Sequence, residues 1–371
     1  MLVNFKVKNF KSFSSELEFD LKKSRFTFNE AAIKDNYVNM ALIYGHNGCG
    51  KSNLALAIFD VLLHTNETYK EIENYNSGYL NLNSNVEDTV AEFDYLFLIE
   101  DHYVEYKYKK SNPFTLISEE LKIDNKIVLQ YDYISDQGEC LLRGTEMLNL
   151  KSPDGKISKL KLVKNNSLLE DNGVNNTFKA FIKFLDGMLL FYNLMERGFC
   201  GLKYNTELIE PVIINNSKVE EFEKFLHNAE INENLVVRRG LNQDLLCFKY
   251  KKGDIPLQAV ASTGTKSLEL FYYWYIQLEN ASFVFIDEFD AFFHYELSEL
   301  IIRKLLEKKD IQVMLTTHNN SLISNNLLRP DCYFILENNM IKSFDRTTEK
   351  EIRQAHNLEK MYKAGAFNVK A

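Results

Sequence analysis

Proline is scarce in this sequence, at 5 of 371 residues, and glycine contributes only 15, which excludes collagen-like and Pro/Gly-rich low-complexity chains. Cysteine is scarce too. Cys49, Cys140, Cys200, Cys247 and Cys332 are scattered, odd in number and form no C-x-x-C pair, which argues against a disulfide framework or zinc site and for a reducing compartment. Nowhere do about 18 apolar residues run together; the densest stretch, Phe184 to Phe191, is broken by Asp186 and Gly187. The start carries no charged, apolar, small-residue leader, so a cytoplasmic protein without membrane spans is expected. Positive charge is in deficit: 44 Lys and Arg face 52 Asp and Glu, net −8, so the chain is no cationic sleeve for nucleic acid and any such site has to be a local patch. The absence of repeats and of long heptad runs argues against an extended coiled-coil arm.

What is present is core-forming material: 45% hydrophobic residues, with 27 Phe and 20 Tyr, in a chain long enough for two or three lobes. Short strands are expected at Leu2 to Val7, Leu17 to Leu21 and Met40 to Tyr44, followed by an amphipathic helix carrying Leu54, Ala57, Ile58, Val61 and Leu62. Alternating apolar and polar residues from Glu92 to Tyr108, and again from Lys122 to Tyr133, predict antiparallel strands. Residues 150 to 177 read as a loop region between lobes, and Phe178 to Tyr192 and Val219 to Ala229 as helices. The last third alternates again: a buried strand at Phe283 to Ile286, a helix over about Glu296 to Lys308, a strand at Gln312 to Thr316 and a hairpin at Tyr333 to Phe344.

Gly45-His46-Asn47-Gly48-Cys49-Gly50-Lys51-Ser52 satisfies G-x-x-x-x-G-K-[ST] and lies between a buried strand and a helix. Glycines let successive N–H groups turn toward phosphate oxygens, and the helix presents the positive end of its dipole. Lys51 would then reach the β- and γ-phosphates of a bound nucleotide, and Ser52 would give its hydroxyl to Mg²⁺. Cys49 invites a redox reading, because a helix N-terminus lowers a thiol's pKa, but a small side chain suffices there. Phe283-Val284-Phe285-Ile286 ends in Asp287-Glu288, placing two acids at the carboxyl end of a buried strand, where α/β sheets bind ligands. Asp287 reads as the Mg²⁺-side carboxylate and Glu288 as the group polarising the attacking water; a plain strand-end acid pair is the bland alternative. His318, just past the strand Gln312 to Thr316, reads as a γ-phosphate sensor, with a hydrogen-bonded scaffold role as the other reading. Ser262-Thr263-Gly264 opens a helical pattern and reads either as an ordinary N-cap or as a second phosphate cradle formed by Ser262 and Gly264.

Together these segments resemble the ABC-type ATPases of the RecF and SMC kind within the AAA family: a GxNGxGKS loop, an LSxGQ-like signature at Ser262 to Thr265, the Asp287-Glu288 pair and a switch histidine at His318. Asn9-Phe10-Lys11-Ser12-Phe13 is similar to the NF[RK]SF opening of that family, which implies Lys11 near the nucleotide phosphates. Leu328-Arg329-Pro330-Asp331 and the tail Ala355 to Tyr362 resemble the RloA- and AbiL-type anti-phage ATPases. The signature departs from the pattern, with Ala261 and Thr265 where Leu and Gln are usual. The Q-loop glutamine is open between Gln130 and Gln137. The resemblance implies an α/β fold with an ABC-ATPase-like P-loop head, a mixed sheet, an antiparallel β subdomain and a helical signature subdomain. The expected regions are an N-terminal ATPase lobe at 1–150, an inserted loop and helical region at 151–260, a C-terminal ATPase lobe at 261–345 and a tail at 346–371. It also implies ATP sandwiched between the loop of one subunit and Ser262-Gly264 of another in a head-to-tail homodimer or higher oligomer, with Asp290 as an interface aspartate near Asn47. His294 is either a further interface group or a packing residue.

Only 26 residues follow Asp345, too few for an appended nuclease, so a separate effector protein is expected. Two basic clusters, Lys156, Lys159, Lys161 and Lys164, and Lys107, Lys109 and Lys110, are candidate DNA contacts, although such runs are usually solvated faces. The functional classes are therefore a defence ATPase gating an effector, a RecF-like DNA-binding ATPase of repair or chromosome maintenance, and a binding module whose nucleotide is structural. Transport is disfavoured.

Overall fold

The computed structural model describes residues 1–66, 75–151, 157–193, 198–201, 209–240, 243–291 and 295–367. Five buried strands form the parallel heart of a seven-stranded sheet, in the spatial order Met188–Asn193, Phe283–Ile286, Gln312–Thr316, Met40–Tyr44, Tyr333–Glu337. Antiparallel strands Gly198–Gly201 and Met340–Ser343 close its two edges. Met40–Tyr44, Phe283–Ile286 and Gln312–Thr316 are buried at every position, as continuous apolar runs covered on both faces should be. Because Gln312–Thr316 inserts between Met40–Tyr44 and Phe283–Ile286, the carboxyl ends of all three meet at one rim of the sheet.

A second seven-stranded sheet is wholly antiparallel, in the order Gln137–Cys140, Lys126–Asp132, Thr115–Ile123, His102–Asn112, Ala91–Ile99, Leu2–Lys8, Leu17–Asp20. Strict alternation of burial along Ala91–Ile99 turns Phe93, Tyr95 and Phe97 inward. Tyr95 donates to the Ala57 carbonyl of the helix Lys51–Thr65, which thus lies against this sheet. The opposite face is polar. Lys6, Asp94, Lys107, Glu120, Gln130 and Glu139 stand opposite one another across successive strands, a cross-strand row of mostly alternating charge.

Ion pairing and burial engage much of the two basic clusters within the chain. Lys107 is bound by Asp94 and Glu105, Lys109 by Glu92, and Lys164 by Asp186. Lys110 is wholly buried on Asp60, and Lys159 is buried with its ammonium over the Tyr131 and Tyr133 rings. Lys156 lies outside the described residues, as do Ser152 to Gly155 and His294.

Two expectations change. Phe178 to Tyr192 is not one helix: the helix Gly173–Asp186 stops at Gly187, and Met188–Asn193 becomes a sheet strand parallel to Phe283–Ile286. Residues 150 to 177 are not only loop, since Lys159–Asn166 is helical with Ser158 as its N-cap. In the last third the helix Tyr295–Leu306 and the hairpin of Tyr333–Glu337 with Met340–Ser343 form where expected. Leu328 to Asp331 serves packing: the fully buried Arg329 guanidinium grips Asp331 with two bonds of 2.8 Å and also reaches Glu30 and the Ser24 carbonyl. Beyond it the tail helix Leu358–Lys363 lays Tyr362 against Tyr44 and Phe344. Among the described residues no helix is long and apolar enough to cross a membrane.

Candidate nucleotide site

The phosphate loop leaves the strand Met40–Tyr44 and enters the helix Lys51–Thr65. Its glycines are required by space and by backbone. A Cβ on Gly45 would come within 2.5 Å of Cys49 Sγ and 2.6 Å of the Leu336 carbonyl oxygen. Gly50 sits at φ +107, where side chains are strained, and a Cβ there would strike Ser12 Oγ at 2.6 Å. Ser12 is fixed in turn by the Asn53 amide, which donates to its hydroxyl at 2.9 Å. The buried Lys51 ammonium folds back on the loop, donating to the carbonyls of Gly45 (2.9 Å) and His46 (3.3 Å). His46, Asn47 and Gly48 are exposed at the loop's crest. Burial pushes the Cys49 thiol up, against the opposing pull of Lys51 and nearby amides, so the group stays protonated and the redox reading loses its premise.

The acid pair reaches this loop. Ser52 Oγ donates to Asp287 Oδ2 at 2.5 Å, and Thr316 Oγ1 donates to the other oxygen, Oδ1, also at 2.5 Å. Asp287 is buried, while Glu288 beside it is exposed and adopts φ +48. The Glu288 amide donates to Thr316 Oγ1 at 2.7 Å. Two residues on, Asp290 accepts from Thr317 Oγ1 at 2.7 Å; burial raises its carboxyl, which the Thr317 bond and His318 oppose and Glu288 reinforces. His318 is exposed at the same rim. Gly45 to Ser52, Asp287, Glu288, Asp290 and His318 therefore converge, as the sheet order requires.

Other expected residues lie elsewhere. Lys11 adopts φ +47 and its ammonium donates to the carbonyls of Tyr75 (2.9 Å) and Ser77 (3.1 Å); it is Ser12 that touches the loop. Ser262 caps the helix Thr263–Gln277, accepting from the Thr265 amide at 3.1 Å. Among the described residues neither Ser262 nor Gly264 hydrogen-bonds to the phosphate loop of its own chain. Gln130 and Gln137 both belong to the last two strands of the antiparallel sheet, and Gln130 donates to Glu139. Sequence reasoning overlooked Thr316, although a polar residue closing a buried strand just before His318 was a usable signal. It also overlooked the buried Asp60, which accepts from Tyr75, Tyr79, Tyr108 and Lys110 and ties the phosphate-loop helix to the antiparallel sheet.

The donor set at the rim is a hydroxyl and a carboxylate, hard oxygen ligands that fit Mg²⁺ completed by phosphate and water. Among the described residues no cluster of three or more His, Cys, Asp or Glu side chains could hold a metal on its own. The loop's geometry is likewise a cradle only glycines can form, which fits a phosphate.

Residues 202–324 match the family model described as AAA domain, putative AbiEii toxin, Type IV TA system. That stretch includes the Ser262 helix, the acid pair and His318. No curated protein matches. Among solved structures the chain is similar to the SMC head domain from Thermotoga maritima at 13% identity and a TM-score of 0.44, covering 92% of this chain and 97% of that one. An SmcHead bound to the C-winged helix domain of ScpA has 13% identity and a TM-score of 0.46, with 93% and 98% covered. An Smc head domain with an extended coiled coil, bound to the C-terminal domain of ScpA derived from Pyrococcus furiosus, has 11% identity and a TM-score of 0.45, with 93% and 97% covered.

Proposed function

We propose that this chain is an AAA-type ATPase that binds ATP on the loop Gly45 to Ser52, hydrolyses it with Glu288, and closes head-to-tail on a second copy to gate a separate effector in anti-phage defence. The observation that carries the reading is the chain of contacts from Ser52 through Asp287 to Thr316, which joins the phosphate loop to the acidic strand in one polar rim. Ser52 and Asp287 would hold Mg²⁺, which would supply charge neutralisation between the β- and γ-phosphates. The loop amides and the helix dipole bind phosphate oxygens, and Lys51 exchanges its carbonyl partners for them. Glu288, exposed at the rim, orients the attacking water and accepts its proton; His318 donates to the γ-phosphate.

Closure on a second copy is supported by what one chain leaves undone. Ser262 and Thr263 are exposed at a helix N-terminus, an anion-binding end to which, among the described residues, no phosphate loop of its own chain is bonded. The defence role draws on the description of the matched family, which names a putative AbiEii toxin of a Type IV TA system.

The test is Glu288→Gln in the full chain. Magnesium-dependent phosphate release should fall at least about 100-fold while ATP still binds, as loss of a general base predicts. ATP should then double the mass seen by light scattering. Unchanged hydrolysis in the variant would refute the assignment, and tight salt-dependent DNA binding by the wild type would favour a repair or chromosome-maintenance role instead.

A further inference from the structure

We infer that Thr316 is a positioning residue for the hydrolysis proposed above, fixing the metal-side carboxylate and the backbone of the water-orienting residue at once; the inference rests on that reading of the site. Thr316 ends the strand Gln312–Thr316 and is wholly buried. Its hydroxyl donates to Asp287 Oδ1 at 2.5 Å and accepts from the Glu288 amide at 2.7 Å. Its carbonyl accepts from the Phe289 amide at 3.2 Å. One residue of the neighbouring strand thus holds three successive residues, 287, 288 and 289.

The held conformation is one that residue 288 would not choose. At φ +48 a glutamate lies in the left-handed region, which L-residues with a Cβ disfavour and which persists only where surroundings impose it. Here it falls in the turn that follows the strand Phe283–Ile286, with Asp287 buried beside Ser52 and Glu288 exposed at the rim. A hydroxyl suits the task because it donates one hydrogen and accepts on its lone pairs at once, serving a carboxylate and an amide together. Valine has nearly the same shape and can do neither; serine can do both.

If Thr316 were only a satisfied core hydroxyl, its loss would lower stability without moving the acid pair. The two cases separate in full-length Thr316→Val and Thr316→Ser proteins, compared with wild type by peptide-resolved hydrogen exchange over residues 287–291 without nucleotide. The magnesium concentration for half-maximal hydrolysis, kcat and KM for ATP are measured alongside. In Thr316→Val, exchange over 287–291 should quicken about tenfold or more, as loss of a bond to a charged group implies. kcat should fall by about tenfold or more and the magnesium requirement rise, while KM stays within about threefold because the phosphate cradle is intact. Thr316→Ser should recover most of each change. Exchange and kcat within twofold of wild type in Thr316→Val, or no recovery in Thr316→Ser, would overturn the inference. Should the valine protein not fold, the wild type decides: a fast-exchanging amide at Glu288 contradicts the clamp and a protected one supports it. A wild type without magnesium-dependent hydrolysis would remove the proposed function, whereas the exchange data would still decide the clamp.

Discussion

Buried at the far end of the phosphate-loop helix, His64 has its Nε2 3.0 Å from the Tyr106 hydroxyl, and its Nδ1 has no hydrogen-bond partner among the described residues. Burial holds its pKa well below 6.5, and the positive charges of Lys110 and Lys161 add to the effect. The folded protein therefore keeps the imidazole neutral where the unfolded chain protonates it. Above the ordinary value of 6.5 the two states bind equally few protons and nothing is lost. As the pH falls below it the unfolded state gains a proton the folded state refuses, and stability declines by up to about 1.4 kcal/mol per pH unit. Urea midpoints at pH 7.5 and 5.5 should show a larger acid loss for wild type than for His64→Gln, by about 1 kcal/mol. Asp94 and Glu210, whose carboxyls burial raises, titrate in both proteins and cancel in the comparison. Equal losses would contradict the assignment of a neutral, buried imidazole.

Helix Lys51–Thr65 joins the nucleotide rim to the antiparallel sheet, and Asp60 is the joint. Its carboxylate, fully buried, takes Lys110 at 2.6 Å and Tyr108 at 2.8 Å on one oxygen, and Tyr75 at 2.5 Å and Tyr79 at 3.0 Å on the other. Lys110→Met leaves that carboxylate buried without its cation and should cost about 3–5 kcal/mol, read from the urea midpoint. Adding Asp60→Asn should recover part of the loss, because the two residues share one interaction; strict additivity would contradict the pairing. Nothing in the sequence marks Asp60, since its four partners come from Tyr75 to Lys110 and meet it only in the folded chain. The elements that sequence did reveal are those with a local signal: the phosphate loop, the strand ending in Asp287, and the alternation of Ala91–Ile99. Met188–Asn193 was hidden because its apolar run of five, Met188 to Tyr192, fits either a helix or a buried strand, and only its pairing with Phe283–Ile286 decides. The partners of the basic residues were hidden for a related reason, as Asp94 and Glu92 meet Lys107 and Lys109 only once the two strands pair.

At the scale of the molecule, two sheets meet on one helix, and the nucleotide rim sits where that helix begins. The antiparallel sheet reaches the rim through the turn Asn9 to Phe13: the Asn9 amide group donates to the Asp88 and Val90 carbonyls, while Ser12 lies against Gly50. Occupation of the loop is thereby connected to the N-terminal sheet on one side and to Asp287, Glu288 and Thr316 on the other. The rim itself was legible from spacing alone; what spacing could not supply was the clamp on Glu288, which requires knowing that Thr316 lies on the adjacent strand. All of this depends on a nucleoside triphosphate binding at the loop with its amino group partner, Lys51. Equilibrium titration of the full chain with a fluorescent ATP analogue and Mg²⁺ tests it most directly. Wild type should bind saturably, and Lys51→Ala should weaken binding by about tenfold or more, the loss expected for a charge-assisted phosphate contact. Equal affinity in the two proteins, or no saturable binding by wild type, would contradict the account.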